Sequence, residues 1–103
     1  MKVITEIVNL ESKQEITEKY FTEIINKLEI NFHSQQEGFI DTELLHGEGT
    51  NCWVMIQHWN SLEEMKKSSS AMFKDTATEE FRNSINPQNI QIKIYEQKGI
   101  WRK

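Results

Sequence analysis

The sequence predicts an α+β fold in which one four-stranded antiparallel sheet carries its helices on a single face. Three observations predict it. Four segments rich in Val, Ile, Thr and aromatic residues have strand length and lack internal breakers. The middle two are separated by only Gly47-Glu48-Gly49-Thr50-Asn51, a turn-forming stretch that makes them a hairpin. The intervals before and after that hairpin carry apolar residues at helical spacing behind capping motifs.

Lys2 to Asn9 reads as the first strand, expected to be buried on both faces. Ser12-Lys13-Gln14-Glu15 matches a capping box and predicts a helix start. Ile16, Tyr20, Phe21, Ile24 and Leu28 then mark one helical face, with Glu18, Lys19, Glu23, Asn26 and Lys27 mostly opposite. The polar stretch Asn31 to Gly38 ends this pattern. Phe39 to His46 and Cys52 to Trp59 are the hairpin strands, and Ser61-Leu62-Glu63-Glu64 is a second capping box, opening a short helix to about Lys67. Ser68 to Ser70 loosen the chain before a third helix that starts near Thr76-Ala77-Thr78-Glu79. Pro87 closes it, because the residue before a proline is driven out of the helical region. The last strand runs from Ile90 to about Tyr95, with Ile90, Ile92 and Ile94 forming its buried face. The order β-α-β-β-α-α-β is a ferredoxin-like plan.

A chain of 103 residues has room for one domain, expected to span residues 1–103. Twelve basic against sixteen acidic residues give a net charge of -4, which is unfavourable for phosphate backbones, so no nucleic-acid partner is expected. A chain this short buries only roughly 65% of its unfolded surface. With a single cysteine it has no internal disulfide to compensate, which favours oligomerisation. Cys52, in the run Cys52-Trp53-Val54-Met55-Ile56, reads as a buried strand residue. Glu6 interrupts any apolar leader, and no stretch approaches the roughly 20 apolar residues of a membrane span. A cytoplasmic location without a membrane partner is the expectation.

Glu37-Gly38-Phe39-Ile40 and, after the hairpin, His58-Trp59-Asn60-Ser61-Leu62-Glu63-Glu64-Met65 narrow the field, with Ser70-Ala71-Met72-Phe73 following. A Gly-Phe entry to the second strand, and a third strand that ends in Trp before an acidic short helix, resembles the antibiotic biosynthesis monooxygenase (ABM) domain family. The resemblance implies a homodimer whose two sheets build a shared dimeric α/β barrel, with a cavity between sheet and helices in each protomer. It implies a cofactor-independent monooxygenase acting on a small aromatic phenol or quinol. The competing expectation is a noncatalytic or ligand-sensing dimer of the same fold. A related haem-degrading branch places a histidine ligand and a tryptophan at positions that fall here near Ala77 and Lys67, and an asparagine two residues before Asn9. Haem-dependent turnover is therefore not expected.

Histidine titrates near neutrality and suits proton abstraction, which makes His58 and His46, near the ends of pairing strands, the candidate catalytic residues. Successive strand residues point to opposite faces, so His58 and Trp59 cannot share a pocket without a bulge, and at most one histidine is expected to act. Neither has partners at metal-ligand spacing, and no metal is expected. His33, in the polar loop, reads as a surface residue. Asn51, Trp53, Met55, Gln57 and Trp59 share one face of the third strand, part polar and part aromatic. That mixture fits a substrate-binding wall, with Gln57 supplying an orienting hydrogen bond, and fits equally a wet barrel interior. For Trp59 the alternatives are a cavity wall or an anchor for the short helix. Glu6, Asp41 and Glu43 lie within strands and are expected near solvent or in interface ion pairs, with Lys93 a possible partner.

Overall fold

The structure is a computed structural model that describes residues 2–103. Its major elements are β1 (Ile4–Glu11), α1 (Glu18–Asn31), β2 (Phe39–His46), β3 (Cys52–Trp59), α2 (Leu62–Met72), α3 (Glu79–Ser84) and β4 (Gln91–Glu96). The four strands form one antiparallel sheet in the order β2-β3-β1-β4, the predicted ferredoxin-like arrangement. Among the described residues no helix is long and apolar enough to cross a membrane.

The register sorts side chains onto two faces. Ile4, Glu6, Val8 and Leu10 of β1 stand beside Trp59, Gln57, Met55 and Trp53 of β3 on the face that meets the helices. His58, Ile56 and Val54 share the outer face with Thr5, Ile7 and Asn9. Cys52 belongs to that outer set and is exposed, not buried as its apolar neighbours suggest, because strand alternation decides its side. The same alternation leaves β1 buried on its inner face and only partly covered on the outer one.

Two helix boundaries differ from expectation. Ser12 does not start a helix: pairing of Glu11 with Cys52 extends β1, and the buried Ser12 hydroxyl accepts from Trp53 Nε1 at 3.1 Å. Helix α1 begins after Thr17, whose Oγ1 accepts from the Tyr20 amide at 3.1 Å. Ser61 caps α2 as predicted, its Oγ accepting from the Glu64 amide at 3.1 Å and donating to Glu64 Oε1 at 2.9 Å. However, α2 continues through the three serines to Met72. Met65, Ser68 and Met72 recur on one side of it, and the first two are buried, so packing outweighs the weak helix propensity of serine.

Gly38 enters β2 at φ 81°, with its carbonyl accepting from the Asn60 amide at 2.7 Å. A β-carbon there would lie 2.4 Å from the Glu64 carboxyl group, so both conformation and space select glycine. The core joins Phe21, Ile24, Leu28 and Phe32 of the α1 region to Leu10, Trp53 and Met55 of the sheet, with Phe81 and Ile85 closing one side. A smaller cluster of Ile4, Trp59 and Met65 packs against Phe39. The helices stop short of edge strand β4. Ile92 and Ile94, expected to be buried, are 52% and 45% exposed on its inner face.

Candidate functional site

Between the two apolar clusters the sheet and helices separate around a cavity of about 170 Å³. The inner faces of β1 and β3 supply Glu6, Val8, Met55, Gln57 and Trp59; α2 supplies Ser68, Ser69 and Met72; Leu28, His33, Phe81 and Arg82 complete the wall. Phe73, Ile90 and Ile92 form an apolar mouth beside β4. A dry protein cavity of about 150 Å³ accommodates benzene, so this volume suits a single aromatic ring.

One end of the cavity is polar and deeply buried. Glu6 is only 5% exposed, and its Oε1 accepts from Trp59 Nε1 at 3.3 Å. Among the described residues this is the only hydrogen bond to the Glu6 side chain, so its second carboxylate oxygen has no protein donor. Burial pushes the Glu6 carboxyl above its ordinary value, against the opposing Trp59 hydrogen bond and the charge of His33. His33, 2% exposed, donates through Nδ1 to Glu29 Oε2, one helical turn earlier. Glu29 Oε1 is buried without a partner among the described residues. The Gln57 amide nitrogen lies 3.3 Å from His33 Nε2 and donates to Thr42 Oγ1 at 3.0 Å. The His33 ring stacks on Phe39 and meets Trp59 edge-on, which fixes its plane.

Of the sequence-derived set, Gln57 and Trp59 therefore meet in this cavity. Trp53 faces the same side of β3 but is packed between Phe21 and His46, its indole N–H taken by Ser12. His46 Nε2 bonds the Thr50 carbonyl at 2.8 Å, and Asn51 Nδ2 donates to the Ser12 carbonyl at 2.8 Å. These three residues line a separate, shallow depression at the other end of the strand. His58 points to the outer face, where Nδ1 lies 2.6 Å from Asp41 Oδ1. The irregularity at this level falls in β2, between Phe39 and Asp41, so β3 keeps its alternation and His58 stays opposite Trp59. Neither His46 nor His58 lines the cavity.

Two residues of the site run against the sequence expectations. Glu6 lies inside rather than near solvent, and Lys93 cannot pair with it because Lys93 stands beside Ile7 on the outer face. The signal for Glu6 was present: Ile4, Val8 and Leu10 share its alternation and form a core face. His33 is buried because Phe32, fully enclosed at the end of α1, draws the following turn under β2. Its polar sequence neighbours concealed that. Among the described residues no group of three or more His, Cys, Asp or Glu side chains is arranged to hold a metal ion.

Comparison with known proteins gives a consistent frame. The family model described as antibiotic biosynthesis monooxygenase matches residues 4–83. Among curated proteins none matches the sequence. Among solved structures, SnoaB, a cofactor-independent oxygenase from Streptomyces nogalater, superposes with a TM-score of 0.73 at 12% identity, covering 100% of both chains. A conserved protein from Methanosarcina mazei gives 0.69 at 17% identity over 95% of each chain. A Pseudomonas aeruginosa protein gives 0.68 at 12% identity over 96% of this chain and 97% of its own. Identities this low establish a shared fold.

Proposed function

The chain belongs to the antibiotic biosynthesis monooxygenase family, and from that premise we propose that it is a cofactor-independent monooxygenase of a small, single-ring phenol or quinol, working as a cytoplasmic homodimer. The observation that carries this reading is the cavity itself: a ring-sized apolar chamber with one polar, titratable end. Trp59, Met55, Met72 and Phe81 provide flat and polarizable contacts to an aromatic ring. Gln57 and Glu6 provide hydrogen bonds at one end, the arrangement that orients a hydroxylated ring.

The chemistry balances without an external reductant. A quinol and dioxygen give a hydroxyquinone and water: one oxygen atom enters the ring, the other leaves in water, and the substrate supplies all the electrons. Loss of the hydroxyl proton makes the ring electron-rich enough to pass an electron to dioxygen. The apolar wall then keeps water from the peroxide that forms by recombination. The protein supplies position, a proton acceptor and dryness. The SnoaB likeness supports the cofactor-independent class, and the small cavity supports the single ring.

The test is oxygen uptake on a panel of single-ring quinols and phenols, with no flavin or metal added. Uptake matched by hydroxyquinone formation from a quinol, or quinone formation from a phenol, is the expected result. Binding of such compounds without uptake would instead establish a noncatalytic ligand-binding member of the fold.

A further inference from the structure

Resting on the proposed aromatic ligand, we infer that Glu6 accepts the proton of the ligand hydroxyl, and that His33, held by Glu29, is the positioning residue that sets the charge around it. Four observations carry this. Glu6 lies in the cavity wall and is only 5% exposed, where an idle carboxylate is costly. One oxygen is fixed by Trp59 and the other has no donor among the described residues, so an O–H group from a ligand completes its hydrogen bonding. His33 lines the same cavity and is tethered to Glu29 on its far side. The two histidines on the sheet face elsewhere, which leaves Glu6 and His33 as the titratable acid–base pair of the chamber.

In the step assigned to Glu6 the ligand O–H bond breaks, its electron pair remains on the ligand oxygen, and the proton moves to the free carboxylate oxygen. Burial raises the proton affinity of Glu6 and so narrows the gap to a phenol, which favours transfer. The charged groups facing Glu6 are His33 from the turn after α1, Glu29 behind it on α1, and Arg82 of α3 across the cavity. From β4, Ile92 and Ile94 approach this side, and Glu96, beside Ile4 on the same face, lies 3.5 Å from Lys2 Nζ. Arg82 is held by Thr78 Oγ1 at 3.0 Å and the Asp75 carbonyl at 3.5 Å, so its charge is partly engaged at the rim.

The experiment uses two probes of equal ring size, 4-nitrophenol, whose hydroxyl ionises near neutral pH, and nitrobenzene, which has no hydroxyl. Binding to the intact protein is followed from about pH 5 to about pH 9. If Glu6 is the acceptor, 4-nitrophenol binds best where carboxylate and phenol share one proton. Its affinity then falls roughly tenfold or more at alkaline pH, when two anions face each other. Nitrobenzene shows no such fall. In Glu6→Gln the alkaline loss disappears, and in Glu6→Asp, a fallback should the amide disturb folding, it persists. His33→Gln removes the charge that favours ionised Glu6 and moves the acid limb of the 4-nitrophenol profile to higher pH. A purely structural His33 would leave that limb in place. Identical pH profiles for the two probes, or a profile unchanged in Glu6→Gln, overturn the assignment while the aromatic cavity stands. Failure of both probes to bind overturns the cavity reading as well.

Discussion

Trp59 Nε1 donates to Glu6 Oε1 across 3.3 Å, joining the end of β3 to the inner face of β1 beneath the helices. The bond ties a wholly enclosed indole to a carboxylate at the cavity wall, so packing and site chemistry meet in one contact. Changing either residue should therefore move both stability and the titration of the site.

Trp59→Phe leaves an aromatic ring but removes the N–H donor and some volume at a position 1% exposed. The expected loss of stability is about 1–3 kcal/mol, from the smaller ring and the stranded carboxylate. Chemical denaturation checks it. Because the lost hydrogen bond holds the Glu6 carboxyl down, the variant should also bind 4-nitrophenol with its acid limb at higher pH.

Glu6 has a defined signature in the dependence of stability on pH. Its folded-state pKa lies above the unfolded value, so the folded state binds the proton more tightly. That contribution is fully present below the ordinary carboxylate value of about 4.5 and is lost as pH rises through the raised folded value. Glu6→Gln, which keeps an oxygen for Trp59, should gain stability relative to the unmodified chain at neutral pH and lose that advantage in acid. Parallel melting curves across pH measure it, and a pH-independent difference would contradict the burial argument.

Oxygen uptake should follow the cavity and not the sheet histidines. Glu6→Gln should reduce the rate by on the order of 10²-fold or more. His46→Ala and His58→Ala should leave it within a few-fold, since neither ring reaches the cavity. A large, isolated loss in one histidine variant would restore that histidine as the base.

Ser68 is buried at the cavity wall, in the middle of α2. Ser68→Leu should fill part of the 170 Å³ space and weaken nitrobenzene binding roughly tenfold or more. The helix should persist, because leucine is a better helix former than serine. Calorimetric titration and circular dichroism together separate lost space from lost fold.

The outer sheet face carries Ile7, Val54, Ile56, Leu45 and Tyr95, the last two 42% and 49% exposed, around the His58–Asp41 pair. A homodimer through this face should give twice the chain mass by light scattering at micromolar concentration. Ile56→Lys should shift the mass toward one chain while nitrobenzene binding persists. A single-chain mass for the unmodified protein would remove the dimer.

Much of the fold was legible in the sequence because its signals are local. Strand-length runs rich in β-branched and aromatic residues marked β2 and β3, alternation marked β4, the hairpin turn joined the middle strands, and Ser61 with Glu64 marked the start of α2. The shared face of Trp53, Met55, Gln57 and Trp59 also follows from the period of a strand. Where that face leads does not. Trp53 closes on Phe21 and Ser12 while Trp59 borders the cavity, and only the placement of α1 and α2 over the sheet separates the two. The same holds for Glu6 and His33, 27 positions apart, which reach one chamber because β1 lies beside β3 and the turn after α1 folds beneath β2. Periodicity reports which side of its own element a residue occupies. Which residues meet, which become dry and which change their proton affinity are properties of the space between elements, set by tertiary packing.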